Sequence, residues 1–446
     1  MSRIFHRSLH AEFPIAVGGK GMIIRLADGR EIIDGVGGAA VSCLGHGNER
    51  VGAAIARQLG RIAYAHTSQF SSEPAEELAE VLVGHQPGGL SHVYFCDSGS
   101  EGMEAAIKLA RQYFLEIGQP QRDQFIARRQ SFHGVTLGAL SAGGNMMRRA
   151  PYGAMLSGAF HHVSPCFPYR FKGDDESEEQ YCRRLVDELE VEFQRLGPDR
   201  VAAFFAEPVV GATIGCVAAV PGYFRAVREI CDRHGALLVL DEVMCGMGRT
   251  GTMHAWEQEG ITPDIEVIAK GLGGGYQPIG AMLIHDRIVE AFRHGSGVFV
   301  HGQTYHGHPV ACAAALAVQQ VIREDDLLAN VRAMGTRLGN ALTERFGNHP
   351  HVGDVRGRGL FWAIELVRDR ASKQVFDPAL QVNARVKPAG FAHGVAVYPM
   401  AGTIDGKHGD HVIIAPAYIA RPQDIDAIVE RLGAAVDDVL AGLPTQ

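Results

Sequence analysis

Residues 237–251 read LLVLDEVMCGMGRTG, in which four bulky apolar residues lead directly into Asp241 and several glycines follow. Short apolar runs of the same kind occur at residues 93–96, 201–206 and 265–269. Segments with helical periodicity separate these runs. Continuously apolar strands that alternate with helices are typical of a mostly parallel sheet covered on both faces, so the sequence predicts an α/β fold.

The connecting helices are indicated by apolar residues that recur at steps of three and four positions. After the first run, this stripe consists of Met103, Ala106, Ile107, Ala110 and Phe114. A second helix is predicted from about Pro221 to His234, because proline suits the first turn of a helix and Gly235 is placed to end it.

Length and composition suggest a multidomain protein with a small-molecule ligand. The chain has 446 residues, with 42 Lys and Arg against 50 Asp and Glu, a net charge of −8. This charge gives no reason to expect nucleic acid or an anionic membrane as a partner. We predict a large domain over residues 61–320, and a smaller α/β domain formed by residues 1–60 together with residues 321–446.

The location of the protein follows from what the sequence lacks. The longest apolar stretch, residues 201–224, is interrupted by Glu207, Pro208 and Pro221, so we predict no transmembrane segment. The first residues contain no apolar block of the kind that a secretory signal needs. The eight cysteines form no CxxC pair. We therefore expect a cytoplasmic protein with reduced, mostly buried thiols.

Polar residues that can take part in catalysis or ligand binding end several of the predicted strands. They are Ser98-Gly99-Ser100, Glu207, Asp241 and Lys270. Each alone is more often a solvated loop residue or, for Ser98, a helix N-cap. The carboxyl ends of parallel strands meet at one edge of the sheet, however, and ligands of open α/β sheets bind there. The convergence of these residues on one edge predicts a ligand site.

The types of these residues suggest a specific cofactor. The turn at residues 97–101 leads into a helix, whose free N–H groups favour a phosphate. A desolvated Lys270 would be nucleophilic, and Asp241 at an apolar strand end needs a cationic partner. Together they describe a pyridoxal phosphate pocket. The sequence contains no GxGxxG directly at the end of a predicted strand, and no GxxxxGK[ST], GxSxG or HExxH, which argues against nicotinamide, P-loop and common hydrolase chemistry.

Several motifs carry a resemblance to a known family. Residues 240–251 with Pro263-Asp264 and Lys270 resemble the signature of class III aminotransferases, which are fold-type I pyridoxal phosphate enzymes. The motifs at residues 98–101, 131–134 and 304–309 resemble that family too. The resemblance extends over nearly the whole chain.

The resemblance implies a role for each of these residues. Lys270 would be the Schiff-base lysine and proton shuttle, and Asp241 the partner of the pyridine nitrogen. Val243 and Phe132 would cover the two ring faces. The remaining cofactor-binding residues would be Ser98, Gly99, Ser100, His133, Glu207 and Thr304. Gly99 and Ser100 would hold the phosphate, and Thr304 would reach the phosphate of a neighbouring subunit, which implies a homodimer. For Glu207 a structural role is an equal alternative.

Departures from the family pattern bear on the substrate. Phe132 stands where Tyr is usual, Gln303 replaces a common His, and Ala40 falls where many amine–pyruvate members carry Trp, which implies a roomier pocket. Ornithine-type relatives have an Arg just before the segment at Ala415-Pro416, and residues 398–406 contain no Arg either. A donor amine without an α-carboxylate is therefore favoured.

The anchor for an oxo-acid acceptor stays open, with Arg249 and Lys407 as candidates whose favoured role is surface solvation. His301, His306 and His308 lie close together, but no acid or cysteine has matching spacing, so we expect no metal site.

We predict an aminotransferase that moves an amino group from an amine to an oxo acid such as pyruvate. The alternatives are a racemase, a decarboxylase or an aminomutase on the same fold, or a binding protein without catalysis.

Overall fold

The computed structural model describes residues 3–444, and its largest element is a seven-stranded sheet. In spatial order the strands are Leu90–Cys96, Gly280–His285, Ile265–Ile268, Leu237–Asp241, Val201–Ala206, Gln124–Arg128 and Phe160–Val163. Only Gly280–His285 runs antiparallel to its neighbours, and the other pairings are parallel. The predicted α/β fold with a mostly parallel sheet is thus confirmed.

Both faces of this sheet are buried, which explains why its strands are continuously apolar. Successive strand residues point to opposite faces. Phe204 and Leu240 belong to the core on one face, whereas Phe205 and Val239 belong to the core on the other. The α-helices of this part of the chain are Glu73–Val83, Gly99–Glu116, Leu137–Ala142, Met146–Arg149, Pro168–Phe171, Glu178–Leu196, Tyr223–His234, Asp286–His294 and Pro309–Glu324.

One helix begins later than the sequence suggests. The helix expected from about Pro221 extends over Tyr223–His234. Gly222 immediately precedes it with φ of 84°, a left-handed conformation that keeps Pro221 outside the first turn. Gly235 ends the helix with φ of 66°, as expected.

The two ends of the chain meet in a separate part of the structure. Ala16–Lys20, Ile23–Leu26 and Glu31–Asp34 form an antiparallel meander, and Glu31–Asp34 also pairs in parallel with Val395–Ala396. A second sheet has the order Val352–Arg358, Phe361–Leu366, Asp410–Ile414, Tyr398–Ala401. The helices of this part are Glu49–Arg61, Leu327–Phe346, Val382–Ala392 and Pro422–Ala441. The limits at residues 60 and 320 stay a prediction.

Two other sequence expectations concern the membrane and the cysteines. Within residues 3–444, no helix has both the length and the apolar character that crossing a bilayer requires. All eight cysteines are buried free thiols. Burial raises the pKa of several of them, for example that of Cys43 to about 12, so they are poor nucleophiles at neutral pH.

Candidate active site

A cavity of about 140 Å³ lies at the carboxyl edge of the large sheet. The residues that line it are Ser98, Gly99, Ser100, Phe132, His133, Gly134, Glu207, Asp241, Val243, Met244 and Lys270. Nine of the ten residues expected from the sequence are therefore brought together, and Thr304 is not among them. Gly134 and Met244 also line the cavity; no role was expected for either, although each directly adjoins an expected residue.

Lys270 follows the strand Ile265–Ile268 after a single residue and begins a short 3-10 turn, Lys270–Leu272. Its backbone has φ of 42°, which is unusual for a residue with a side chain. Desolvation lowers the pKa of the Lys270 amine to about 8, and the nearby Asp241 and Glu207 carboxylates only partly oppose this effect. A substantial fraction of the amine is thus neutral near physiological pH, as a Schiff-base nucleophile requires.

Asp241 is the last residue of the strand Leu237–Asp241 and is only 4% exposed. The Nδ1 atom of His133 lies 2.9 Å from its Oδ2, and the Val243 amide donates to its Oδ1 over 3.0 Å. These contacts fix the orientation of the carboxylate while each oxygen keeps further acceptor capacity. The other ring nitrogen of His133, Nε2, is buried and has no partner within residues 3–444.

Glu207 connects several parts of the cavity wall. Its Oε1 accepts a hydrogen bond from the Phe132 amide over 3.0 Å, and its Oε2 accepts one from the Gly211 amide over 3.2 Å. Its backbone carbonyl accepts a hydrogen bond from the Arg128 guanidinium. Burial raises the pKa of the Glu207 carboxyl. Both carboxylate oxygens are used in holding the backbone, so Glu207 positions Phe132 in addition to lining the cavity.

The turn at residues 98–100 forms a cradle suited to an anion. Ser98 caps the helix Gly99–Glu116 by accepting a hydrogen bond from the Glu101 amide over 3.3 Å. The amides of Gly99 and Ser100 have no acceptor in the described part of the chain. A side chain at Gly99 would come within 2.8 Å of Val243, so glycine keeps this space open. Free amides at a helix N-terminus are a favourable site for a phosphate.

Thr304 lies outside the cavity of its own chain. It is exposed, and its backbone carbonyl accepts a hydrogen bond from the Tyr64 hydroxyl over 2.7 Å. The expected role of Thr304 concerns a second subunit and stays a prediction.

The structure corrects the expectation that Arg249 is solvated. Arg249 is 1% exposed, and its Nη1 donates to the carbonyls of Leu360 and Pro416 over 3.1 and 2.6 Å. Its guanidinium carbon lies 4.7 Å from the centre of the Tyr418 ring. Arg249 therefore connects the two parts of the structure from a buried position. Lys407 is exposed, in agreement with solvation.

A buried polar cluster lies next to Asp241. Donor atoms of Glu242, His254 and Glu266 lie within 4.8 Å of one another. Hydrogen bonds from other protein groups already occupy these carboxylates. The His254 and Trp256 rings each contact Glu266 over 2.9 Å, and the Ala255 and Trp256 amides donate to Glu242. Burial and the neighbouring Glu266 raise the pKa of Glu242 well above its usual range. We interpret the cluster as structural.

The arrangement fits pyridoxal phosphate. The half-buried Lys270 amine, the anchored Asp241 carboxylate and the free amides of Gly99 and Ser100 surround one cavity. Phe132 and Val243 supply the flat and branched surfaces between which an aromatic ring can lie. The model for the family "aminotransferase class-III" matches residues 6–436. The chain belongs to the class III aminotransferases.

Individual relatives agree with this assignment. The aminotransferase is 49% identical over 441 residues to an uncharacterized aminotransferase of Schizosaccharomyces pombe, covering 99% of this chain and 96% of that protein. It is 34% identical to the diaminobutyrate–2-oxoglutarate transaminase of Halomonas elongata, covering 98% of this chain and 95% of that protein.

Solved structures show the same fold. The (S)-enantioselective omega-transaminase of Thermomicrobium roseum superposes with a TM-score of 0.91 at 37% identity, covering 96% of this chain and 93% of that one. An amine transaminase from an uncultivated Pseudomonas species, solved in its PLP-bound form, superposes with a TM-score of 0.92 at 34% identity, covering 98% and 99% of the two chains. The aminotransferase thus has fold type I and uses pyridoxal phosphate.

Proposed function

We propose that this aminotransferase takes its amino group from amines that lack an α-carboxylate and passes it to an oxo acid such as pyruvate. The observation that carries the proposal is the composition of the cavity wall. Among the described residues, no arginine lines the cavity, and Lys270 is reserved for the cofactor. The lining itself therefore offers a carboxylate no cationic partner, whereas an amine donor without a carboxylate brings no such charge into the cavity.

The surroundings of the cavity suit an apolar substituent on the donor. Met244 lines the cavity and packs in one buried apolar cluster with Ala40, Phe361 and Ile413. Ile413 lies within the segment where ornithine-type relatives carry arginine, and here it is fully buried. Ala40 contributes only a methyl group to this cluster. The description of the Thermomicrobium roseum relative as an omega-transaminase supports the same substrate class.

Each residue of the site has a proposed part in the transfer. Pyridoxal phosphate, when bound, acts as the electron sink for the substrate carbon. Lys270 would hold the cofactor covalently and, once released by the substrate amine, would move the proton at the substrate carbon. Asp241, oriented by His133, would keep the pyridine nitrogen protonated. Phe132 and Val243 would hold the ring, and the amides of Gly99 and Ser100 would bind the phosphate together with Ser98.

We also propose that the enzyme works as a cytoplasmic homodimer in which Thr304 completes the partner's phosphate site. Large exposed apolar side chains occur in the segment that contains Thr304, where Tyr305 is 58% and Val300 78% exposed, and at Phe70, which is 60% exposed and lines a cleft together with Gly307. Apolar surface of this kind marks interaction sites. An open cleft of about 500 Å³, lined in part by Tyr64 and Phe70, adjoins the same region.

A donor panel tests the proposal. Purified holoenzyme is incubated with pyruvate and either primary amines without a carboxylate or α-amino acids, and the alanine formed is measured. We expect alanine from several amines and slower formation from α-amino acids such as ornithine. Alanine from α-amino acids alone would contradict the donor class. Racemised or decarboxylated products without alanine would contradict transfer itself.

A further inference from the structure

A carboxylate of an oxo-acid substrate needs a cation, and most arginines near the cavity are already engaged. Arg128 donates to the Glu207 carbonyl and lies on the Tyr223 and Phe224 rings. Arg149 donates through Nη1 to the carbonyls of Leu140, Ser141 and Gly143 over 3.0, 2.7 and 2.6 Å. Arg249 is fully buried between two carbonyls, as described above. None of the three can turn towards a ligand without leaving these acceptors.

Arg148 differs from these residues. Its guanidinium carbon lies 4.7 Å from the centre of the Phe132 ring, which forms part of the cavity wall. The side chain is half-buried, and no carboxylate or hydrogen-bond acceptor contacts its guanidinium within residues 3–444. A cation next to a residue of the cavity wall is thus held by an aromatic face alone in the described part of the chain.

The backbone that carries Arg148 is firmly held. The Asn145 side chain accepts a hydrogen bond from the Arg148 amide over 3.1 Å, and the next residue, Arg149, is fixed by its three carbonyls. Gly406 packs so closely that a side chain there would lie 2.9 Å from the Met147 amide. A fixed backbone with a free guanidinium is an arrangement that can bind a ligand without a change of fold.

We propose that the Arg148 guanidinium binds the carboxylate of the oxo-acid acceptor. A bidentate, charge-assisted pair with a carboxylate is stronger than a cation–π contact with the half-buried Phe132 ring, so an acid would draw the guanidinium away from Phe132. With a donor amine that has no carboxylate, the guanidinium stays on the ring and leaves the cavity free for an apolar substituent. This inference rests on the proposed function and deepens it.

The main competing explanation is that Arg148 merely supports Phe132. The two roles differ in what they predict for an acceptor without a carboxylate. A support for Phe132 would affect every acceptor and the binding of the cofactor alike. A carboxylate anchor would affect acids alone.

The test compares two acceptors on the holoenzyme. The enzyme is first converted to its amino form with butylamine, and the return of its visible absorbance is then followed with pyruvate or with propanal. We expect Arg148→Gln to lower kcat/KM for pyruvate roughly tenfold to a hundredfold and to leave kcat/KM for propanal within about twofold. Arg148→Lys should give an intermediate loss. Lys407→Gln, which removes another exposed cation, is the control and should behave as the wild type.

Calorimetric titration with propionate, which has the carboxylate of pyruvate but not its keto group, provides a readout that does not depend on turnover. Its affinity for the holoenzyme should fall with Arg148→Gln by a similar factor. Equal losses for pyruvate and propanal, or unchanged values for pyruvate and propionate, would overturn the proposal. If the wild type failed to accept amino groups from any amine, the proposed function would fail, and propionate binding would decide on Arg148 separately.

Discussion

Lys270 combines two features that bear on its reactivity, a left-handed backbone and a desolvated amine. The positive φ of Lys270 is a backbone conformation that residues other than glycine seldom adopt. Such strained conformations cluster at functional sites. Burial lowers the pKa of the amine to about 8. Both features belong to the single residue that the proposed chemistry most depends on.

The lowered pKa predicts how the apoprotein takes up its cofactor. The neutral amine is the nucleophile, so the rate of reaction with pyridoxal phosphate should rise with pH up to about 8 and level off above it. An ordinary lysine would show the rise near its usual pKa, more than two pH units higher. Stopped-flow absorbance between pH 6.5 and 10 measures this profile. Lys270→Ala should show no covalent absorbance band at any pH.

The contact between His133 and Asp241 allows a test by rescue. His133→Leu removes the donor to Oδ2, and we expect kcat/KM for the amine donor to fall roughly tenfold to a hundredfold, because hydrogen bonds to charged groups are strong. His133→Asn keeps a donor near the same position and should recover part of this loss. His162→Asn serves as the control, because the His162 ring contacts the Ala142 carbonyl over 3.0 Å and is not among the residues that line the cavity. Equal activity of the two His133 variants would contradict the assignment.

At the scale of elements, the start of the helix Gly99–Glu116 shapes the cavity. Gly99→Ala would bring a methyl group within 2.8 Å of Val243, which faces the ring site. Crowding of this kind costs about 1–3 kcal/mol. We expect a lower melting temperature and weaker binding of pyridoxal phosphate, measured by thermal unfolding and by absorbance titration.

A second glycine provides a matched control, in which the same substitution should change the free energy of unfolding in the opposite direction. Gly52 lies in the helix Glu49–Arg61, and nothing lies within 4 Å of a side chain placed there. Gly52→Ala should raise the free energy of unfolding by about 0.5–1 kcal/mol and leave cofactor binding unchanged. A loss of stability in both variants would show that the close approach at Gly99 is not the cause.

Local sequence signals predict the strands of the large sheet but not the contacts of the arginine side chains. The strands Leu237–Asp241 and Ile265–Ile268 were predictable because burial on both faces requires continuous apolar runs, and the residues that follow such strands must lie near one edge. The role of Arg249 was predicted wrongly, because its acceptors at Leu360 and Pro416 are more than a hundred residues away. Arg148 was missed although it lies close to Phe132 in sequence, because only the fold brings the two side chains together. The pair of arginines at 148–149 was the one local signal available.

At the scale of the whole molecule, the proposed dimer can be tested by complementation. Lys270→Ala lacks the nucleophile, and Thr304→Asp would repel the partner's phosphate. Each variant alone should be nearly inactive. After dissociation and random reassociation of a mixture, we expect about a quarter of the wild-type activity, because half of the dimers are mixed and one site in each is complete.

Activity is measured before and after mixing, and light scattering gives the mass of the assembly. No recovery of activity in mixtures that contain verified mixed dimers would contradict the role of Thr304. A monomeric mass for the active enzyme would contradict the dimer.

The parallel pairing of Glu31–Asp34 with Val395–Ala396 also has a consequence for synthesis. While the ribosome is still making the middle of the chain, the early meander has an open edge with unpaired amides and carbonyls. That edge can close only when the last part of the chain emerges. Nascent or truncated chains should therefore depend on chaperones and be prone to aggregate through this strand, even where the large sheet has already formed.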